Sequence, residues 1–300
     1  MRGSWKLRTL WVVVAATSLV PVGLGQSSMA GDKSKVHPGS VAEPGICAQS
    51  LPETGVKAAL RLVCFQETPR IKNRAIEKAI IIGFVGGFVR PDDVRHPEVQ
   101  FASYLQETYP SEVHVEVFAN HDGKHALRRV LQLLGKNGHP GLTSREKEDT
   151  RIIIYGHSWG GSQAVNLARD LSRFEIPVYL TVLVDSVHKP GHQDAVIPQN
   201  VRNAVNFYQT KGIIHGRSHI RAADSEHTNI IGDLQMTYRD RQINSDNYPW
   251  IARHLNRPHH EIENDPIVWQ QIASLIDSAL LNEAVTAASL PSNIVVKQDP

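Results

Sequence analysis

Apolar residues along the chain follow two alternating patterns. Unbroken β-branched runs occur at Ala79–Val85 (AIIIGFV), Arg151–Gly156 (RIIIYG) and Val178–Asp185 (VYLTVLVD). Val113–Phe118 (VHVEVF) alternates with period two, and Asn203–Thr210 (NAVNFYQT) reads as a further strand. Short apolar runs indicate strands, and those lacking alternation fit strands covered on both faces. Between them lie helical patterns: VQFASYLQ, then HALRRVLQLLG with Gly135 as its stop, then SQAVNLARDLSRF with Val165, Leu167, Ala168 and Leu171 on one stripe. Asn264-Asp265-Pro266 announces a closing helix, IVWQQIASLIDSAL; Asp265 suits its cap and Pro266 its first turn. Its expected buried face is Ile267, Val268, Ile272, Leu275, Ile276 and Leu280. Strand–helix alternation implies crossover units. The expected class is therefore α/β, a mostly parallel central sheet with helices on both faces. The long stretch from Ser186 to Arg257 leaves room for the last strands and a lid. Ligands in such sheets collect at the carboxyl ends of the strands.

The N-terminus breaks this pattern. Arg2, Lys6 and Arg8 precede an apolar run, Leu10–Gly25, with Gly23 and Gly25 just before Gln26. That order, basic then apolar then small, predicts a secretory signal peptide over residues 1–25 and a secreted or periplasmic protein with no stable membrane span once the signal is removed. Residues 26–52 are rich in Gly, Ser, Pro and Ala and read as an arm or linker. The main domain is expected over 53–287 and a tail over 288–300. An exported chain can form disulfides, and Cys47 and Cys64 allow one bridge, with two separate buried thiols as the alternative.

Of the 300 residues, 41 % are hydrophobic and 21 % charged, and the net charge is +2. This is an ordinary globular composition. It offers no basic stripe for a nucleic-acid partner. The fifteen histidines are scattered, and no Cys/His spacing suggests a metal.

The candidate chemistry lies in Ile152–Val165, IIIYGHSWGGSQAV. Gly156-His157-Ser158-Trp159-Gly160 is a G-x-S-x-G pattern between a strand and an amphipathic helix, the context that makes it a nucleophile elbow. The glycines allow a sharp turn that exposes the Ser158 hydroxyl at the strand tip, over the positive end of a helix. The serine needs a base, and the base an orienting acid; in this architecture they follow in the order serine, acid, histidine. Asp185, at the end of the next strand, is the preferred acid, with Asp194 and Asp224 in reserve. His259, just before the closing helix and three residues from Ile262, is the preferred base, with His260 as the alternative. His157 is expected to pack beside its strand. The Trp159 amide is one expected oxyanion donor, and the amide of Gly87 or Phe88, after the first strand, is the second.

GHSWGG after IIIY, the Gly86-Gly87 loop after AIIIGFV, LVD after the following strand and HHEIENDPIVW before the last helix resemble the α/β-hydrolase superfamily, its lipase- and esterase-like members. The resemblance covers about residues 75–285. It implies a Ser158–Asp185–His259 triad, an acyl-enzyme intermediate, no cofactor, and a small-molecule or lipid acyl substrate. Two features depart from the pattern: Val85-Gly86 replaces a His-Gly dipeptide at the oxyanion loop, and no early strands are evident before Ala79. A catalytically silent binding protein and an acyltransferase on the same fold are the other functions compatible with these residues.

Overall fold

The computed structural model describes residues 78–135, 143, 147, 149–281 and 283–289. All belong to a compact unit spanning Leu51–Pro300. The expected signal peptide, the arm, Cys47, Cys64 and nearly all of the C-terminal tail lie outside the described residues.

Six parallel strands form the central sheet in the order β2-β1-β3-β4-β6-β8. They are β1 (Ala79–Val85), β2 (Val113–Ala119), β3 (Arg151–His157), β4 (Val178–Val184), β6 (Val201–Tyr208) and β8 (Asn229–Gln235). Two-residue strands β5 (Val196–Ile197) and β7 (Arg221–Ala222) pair separately. Helices α1 (Pro97–Thr108), α2 (Gly123–Leu134) and α3 (Trp159–Ser172) alternate with the first strands. Helices α4 (Trp250–Leu255), α5 (Arg257–Glu263) and α6 (Pro266–Leu280) follow the last.

The unbroken apolar runs have a simple origin. Every residue of β1 is buried, because successive side chains enter different layers. Ile81 joins Phe101 and Leu105 of α1 and Trp269, Ile272 and Ile276 of α6. Ile80 and Ile82 join Ala126 and Val130 of α2 and Val165 and Leu167 of α3. With helices covering both faces, period-two alternation between apolar and polar disappears. The outcome is an α/β fold with a parallel six-stranded sheet covered by helices on both faces.

The closing helix follows its signal: Asp265 accepts from the Ile267 amide at 3.0 Å and Pro266 stands in the first turn. Ile267 itself is only half-buried, and Trp269 takes the core position instead. The Ser186–Arg257 stretch holds β5 to β8 and α4. Helix α4 has no buried residue; Trp250, Ile251 and Leu255 are exposed along it.

Candidate active site

Strand β3 delivers Ser158 at the centre of the sheet's carboxyl edge. Its amide still pairs with Val184 O of β4 at 2.9 Å, and α3 begins at the next residue. To turn that fast, Ser158 adopts φ 55 and ψ −124, a conformation that costs a non-glycine residue about 1–3 kcal/mol. The flanking glycines are required by close approach. A Cβ on Gly156 would lie 2.4 Å from the carbonyl of Gly160, and one on Gly160 would lie 2.3 Å from Phe84 O.

The structure joins Ser158, His259 and Asp185 in one hydrogen-bonded chain. His259 Nε2 is 3.0 Å from Ser158 Oγ, and His259 Nδ1 is 2.6 Å from Asp185 Oδ2. An ionised carboxylate can only accept, so Nδ1 carries the proton and the Nε2 lone pair faces the serine hydroxyl. His259 does not sit on a loop, as its sequence context suggested. It lies within α5, whose Ile262 is buried and anchors the helix.

Asp185 follows β4 and is fully buried, with φ 42. Its Oδ1 accepts from the amides of Gly216 at 2.7 Å and Gln209 at 3.2 Å, and Oδ2 accepts from Gln209 Nε2 at 2.8 Å. Burial pushes this carboxyl up. The His259 hydrogen bond and charge, with the Gln209 and Gly216 donors, outweigh burial and hold it below the usual aspartate value. In His259 the balance is reversed. Burial lowers the imidazole, the bond to Asp185 opposes, nearby His157 adds to the lowering, and the net shift is downward.

The reserve residues go elsewhere. Asp194 accepts from Arg217 at 2.6 Å and pairs with His188 at 3.0 Å. Asp224 accepts from the Glu226 amide and pairs with His227 on an exposed turn. His260 turns its ring onto Tyr248, centroids 3.7 Å apart, and neither of its nitrogens forms a hydrogen bond. Burial pushes it down to about 3.

Trp159 is the first residue of α3, where amides have no partner within the helix. The loop after β1 passes directly over the elbow: a Cβ on Gly86 would lie 3.1 Å from Ser158 Cβ. A turn closed by Val89 N–H to Gly86 O carries Gly87, at φ 42, and Phe88. The exposed Phe88 ring stands edge-on to the Trp159 indole, centroids 5.7 Å apart.

Sequence reasoning missed Gln209 and Gly216, the two residues that fix the acid. It also missed a buried group behind the base. His157 is stacked obliquely on His259, centroids 4.7 Å apart. Its Nδ1 lies 3.3 Å from Glu98 Oε1 and 3.7 Å from Glu263 Oε2. His96 Nδ1 bonds Glu263 Oε1 at 2.7 Å, and the Tyr248 hydroxyl donates to Glu263 Oε2. Apart from His96 and Glu98 these residues are far apart in sequence, and no local spacing could have grouped them all.

No family model matches the chain, and no curated protein matches it. Several solved structures are similar in shape. A cutinase-like protein from Cryptococcus sp. matches over 70 % of this chain and 98 % of its own, with 13 % identity and a TM-score of 0.37. A putative hydrolase of the alpha/beta superfamily from Xanthomonas campestris pv. campestris matches over 62 % of this chain and 96 % of its own, with 14 % identity and a TM-score of 0.29. At these values the fold assignment rests on the sheet order and the strand-to-helix elbow, not on the likeness.

Proposed function

We propose that the protein is an exported serine hydrolase that cleaves an ester or related acyl bond. The hydrogen-bonded chain from Asp185 through His259 to Ser158, at a strained strand tip, carries this reading. A hydroxyl is a weak nucleophile until a base removes its proton, and His259 Nε2 is placed to do so. Ser158 Oγ attacks the acyl carbonyl as His259 takes its proton. Asp185 holds the ring orientation and stabilises the imidazolium. His259 then returns the proton to the leaving alcohol, and water repeats the cycle on the acyl-enzyme. The developing oxyanion is received by the Trp159 amide and by the amide of Gly87 or Phe88. A binding protein would have no use for strain at Ser158.

The surroundings favour an apolar acyl group. Phe88 stands exposed against Trp159, the residue after Ser158. Ile213 and Ile214 are exposed on the loop whose Ile214 carbonyl accepts from Gln209, which holds Asp185, and Trp250, Ile251 and Leu255 are exposed on α4, which precedes the base-bearing helix in the chain. Export rests on the basic–apolar–small order of residues 1–25. Among the described residues no helix is long and apolar enough to cross a membrane.

The test is a fluorophosphonate probe followed by mass mapping, alongside hydrolysis of nitrophenyl esters of graded chain length. Label on Ser158, lost in Ser158→Ala, is expected. Asp185→Asn should retain the fold and lose roughly three to four decades of kcat, since the ring would then be held in the wrong tautomer. A folded wild-type protein that takes no label would overturn the proposal.

A further inference from the structure

We propose that His96, Glu98, Glu263 and His157 form a binding site for one divalent transition-metal ion, zinc by its donor chemistry, immediately behind His259. His96, Glu98 and Glu263 each offer a ligand atom, and these atoms lie within 4.8 Å of one another. His157 adds a fourth donor, with Nδ1 at 3.3 Å from Glu98 Oε1 and 3.7 Å from Glu263 Oε2. Tetrahedral zinc has bonds of about 2.0–2.1 Å to nitrogen and oxygen, which sets its ligand atoms roughly 3.3–3.4 Å apart. The His157–Glu98 spacing is close to that edge length and the His157–Glu263 spacing slightly longer; His96 Nδ1 and Glu263 Oε1, hydrogen-bonded at 2.7 Å, would move apart to share an ion.

A second observation points to a missing partner. Glu98 is fully buried, and neither of its carboxylate oxygens forms a hydrogen bond. Both ring nitrogens of His157, 1 % exposed, are likewise without one. Their closest approach, Nδ1 to Oε1, lacks hydrogen-bond alignment. Buried polar atoms are rarely left without hydrogen bonds; the positive charge closest to Glu98 is that of a protonated His157 at 3.3 Å, which a metal ion would replace. Two donors that converge without bonding each other are what a shared third atom requires. One ion of charge +2 balances Glu98 and Glu263 while both imidazoles stay neutral.

A supporting contact fits as well. The Tyr248 hydroxyl donates to Glu263 Oε2. Metal ligands are commonly oriented by such outer contacts. Two imidazoles with two carboxylates favour zinc over magnesium or calcium, which prefer all-oxygen sites. The ligands come from His96 just before α1 and Glu98 within it, from the β3 elbow and from α5. The ion would therefore tie the helix that carries His259 to the strand that carries Ser158. The proposal does not depend on the reaction assigned to Ser158, because metal content is measured without a substrate.

The experiment uses the mature protein, stripped with a chelator, desalted, and titrated with zinc chloride or cobalt chloride. Bound metal is read by elemental analysis, the coordination shell by X-ray absorption, and stability by thermal melting. One tightly held equivalent of zinc, a mixed nitrogen and oxygen shell and a higher melting midpoint are expected. Glu98→Gln and His96→Gln should each weaken zinc binding by more than about ten-fold, at least the effect of losing an outer-shell contact. If Glu98→Gln does not fold, the His96→Gln titration and the wild-type coordination shell decide. Surface histidines beside carboxylates, such as His219 with Asp233, offer an adventitious alternative. Unchanged zinc affinity in a folded ligand variant, or no retained zinc in the wild type, would overturn the proposal.

Discussion

The Gly216 amide donates to Asp185 Oδ1 at 2.7 Å, and the same residue lies so close that a Cβ on it would stand 2.3 Å from the Asp185 carbonyl carbon. The acid is thus held by backbone contact at a point where no side chain fits. Gly216→Ala should push the loop away and release one of the donors that keep Asp185 ionised and oriented. Overpacking of this kind typically costs about 1–3 kcal/mol. We expect a loss of that size in urea unfolding, together with a fall in kcat of at least about ten-fold. Unchanged kcat would show that the acid does not need this contact.

The Ser158 backbone gives a second prediction. Strain of about 1–3 kcal/mol is stored at φ 55 and ψ −124. Glycine would relieve it, at a cost of about 0.5–1 kcal/mol for its greater freedom when unfolded. Ser158→Gly should therefore be inactive and more stable than the wild type by about 1 kcal/mol. Ser158→Ala should be equally inactive without the gain. Equal melting points for the two variants would argue against strain at the elbow.

The pH profile follows from His259. As the proposed base, His259 works only when neutral, and burial holds its pKa below the ordinary 6.5. The neutral form then persists to lower pH than for a free imidazole. The acidic limb of kcat/KM on a nitrophenyl ester should have its midpoint below 6.5. A midpoint at or above 6.5 would contradict the placement of His259 as the base.

Acid stability should depend on the neighbouring residue. His260 is buried without hydrogen bonds, and its pKa is pushed down to about 3. Its folded value is below its unfolded one, so the unfolded chain binds the extra proton. Its contribution is complete above about pH 6.5 and is lost as pH falls toward 3, with a limiting slope of about 1.4 kcal/mol per pH unit. His260→Phe keeps an aromatic ring against Tyr248 and has no proton to bind. Its stability should fall less than that of the wild type between pH 6.5 and 4, measured by urea unfolding. Parallel losses in both proteins would exclude His260 as an acid sensor.

The layered fold was legible because each strand carries its own signal. The runs in β1, β3 and β4 are too apolar for a sheet with a wet face, and the helices between them require crossovers. The G-x-S-x-G stretch was legible for a similar reason: its glycines, its serine and its flanking elements are all local. Asp185 and His259 could be nominated from their positions before and after known elements, although the secondary structure around His259 was misjudged. RPHHEIE contains a proline at a position that suits the first turn of a helix as well as a loop. Gln209, Gly216 and the Glu98–Glu263 pair were not legible. Each matters through a contact made across the sheet edge, and such contacts leave no periodicity in the chain.

The loop from Gln209 to Gly216 has one further consequence. Its two ends hold the Asp185 carboxylate, while Ile213 and Ile214 between them are exposed to solvent. Two exposed apolar side chains and the support of Asp185 thus share a short piece of backbone. The two isoleucines can be varied with that support left in place, whereas a change in loop length would shift both anchors of the carboxylate at once.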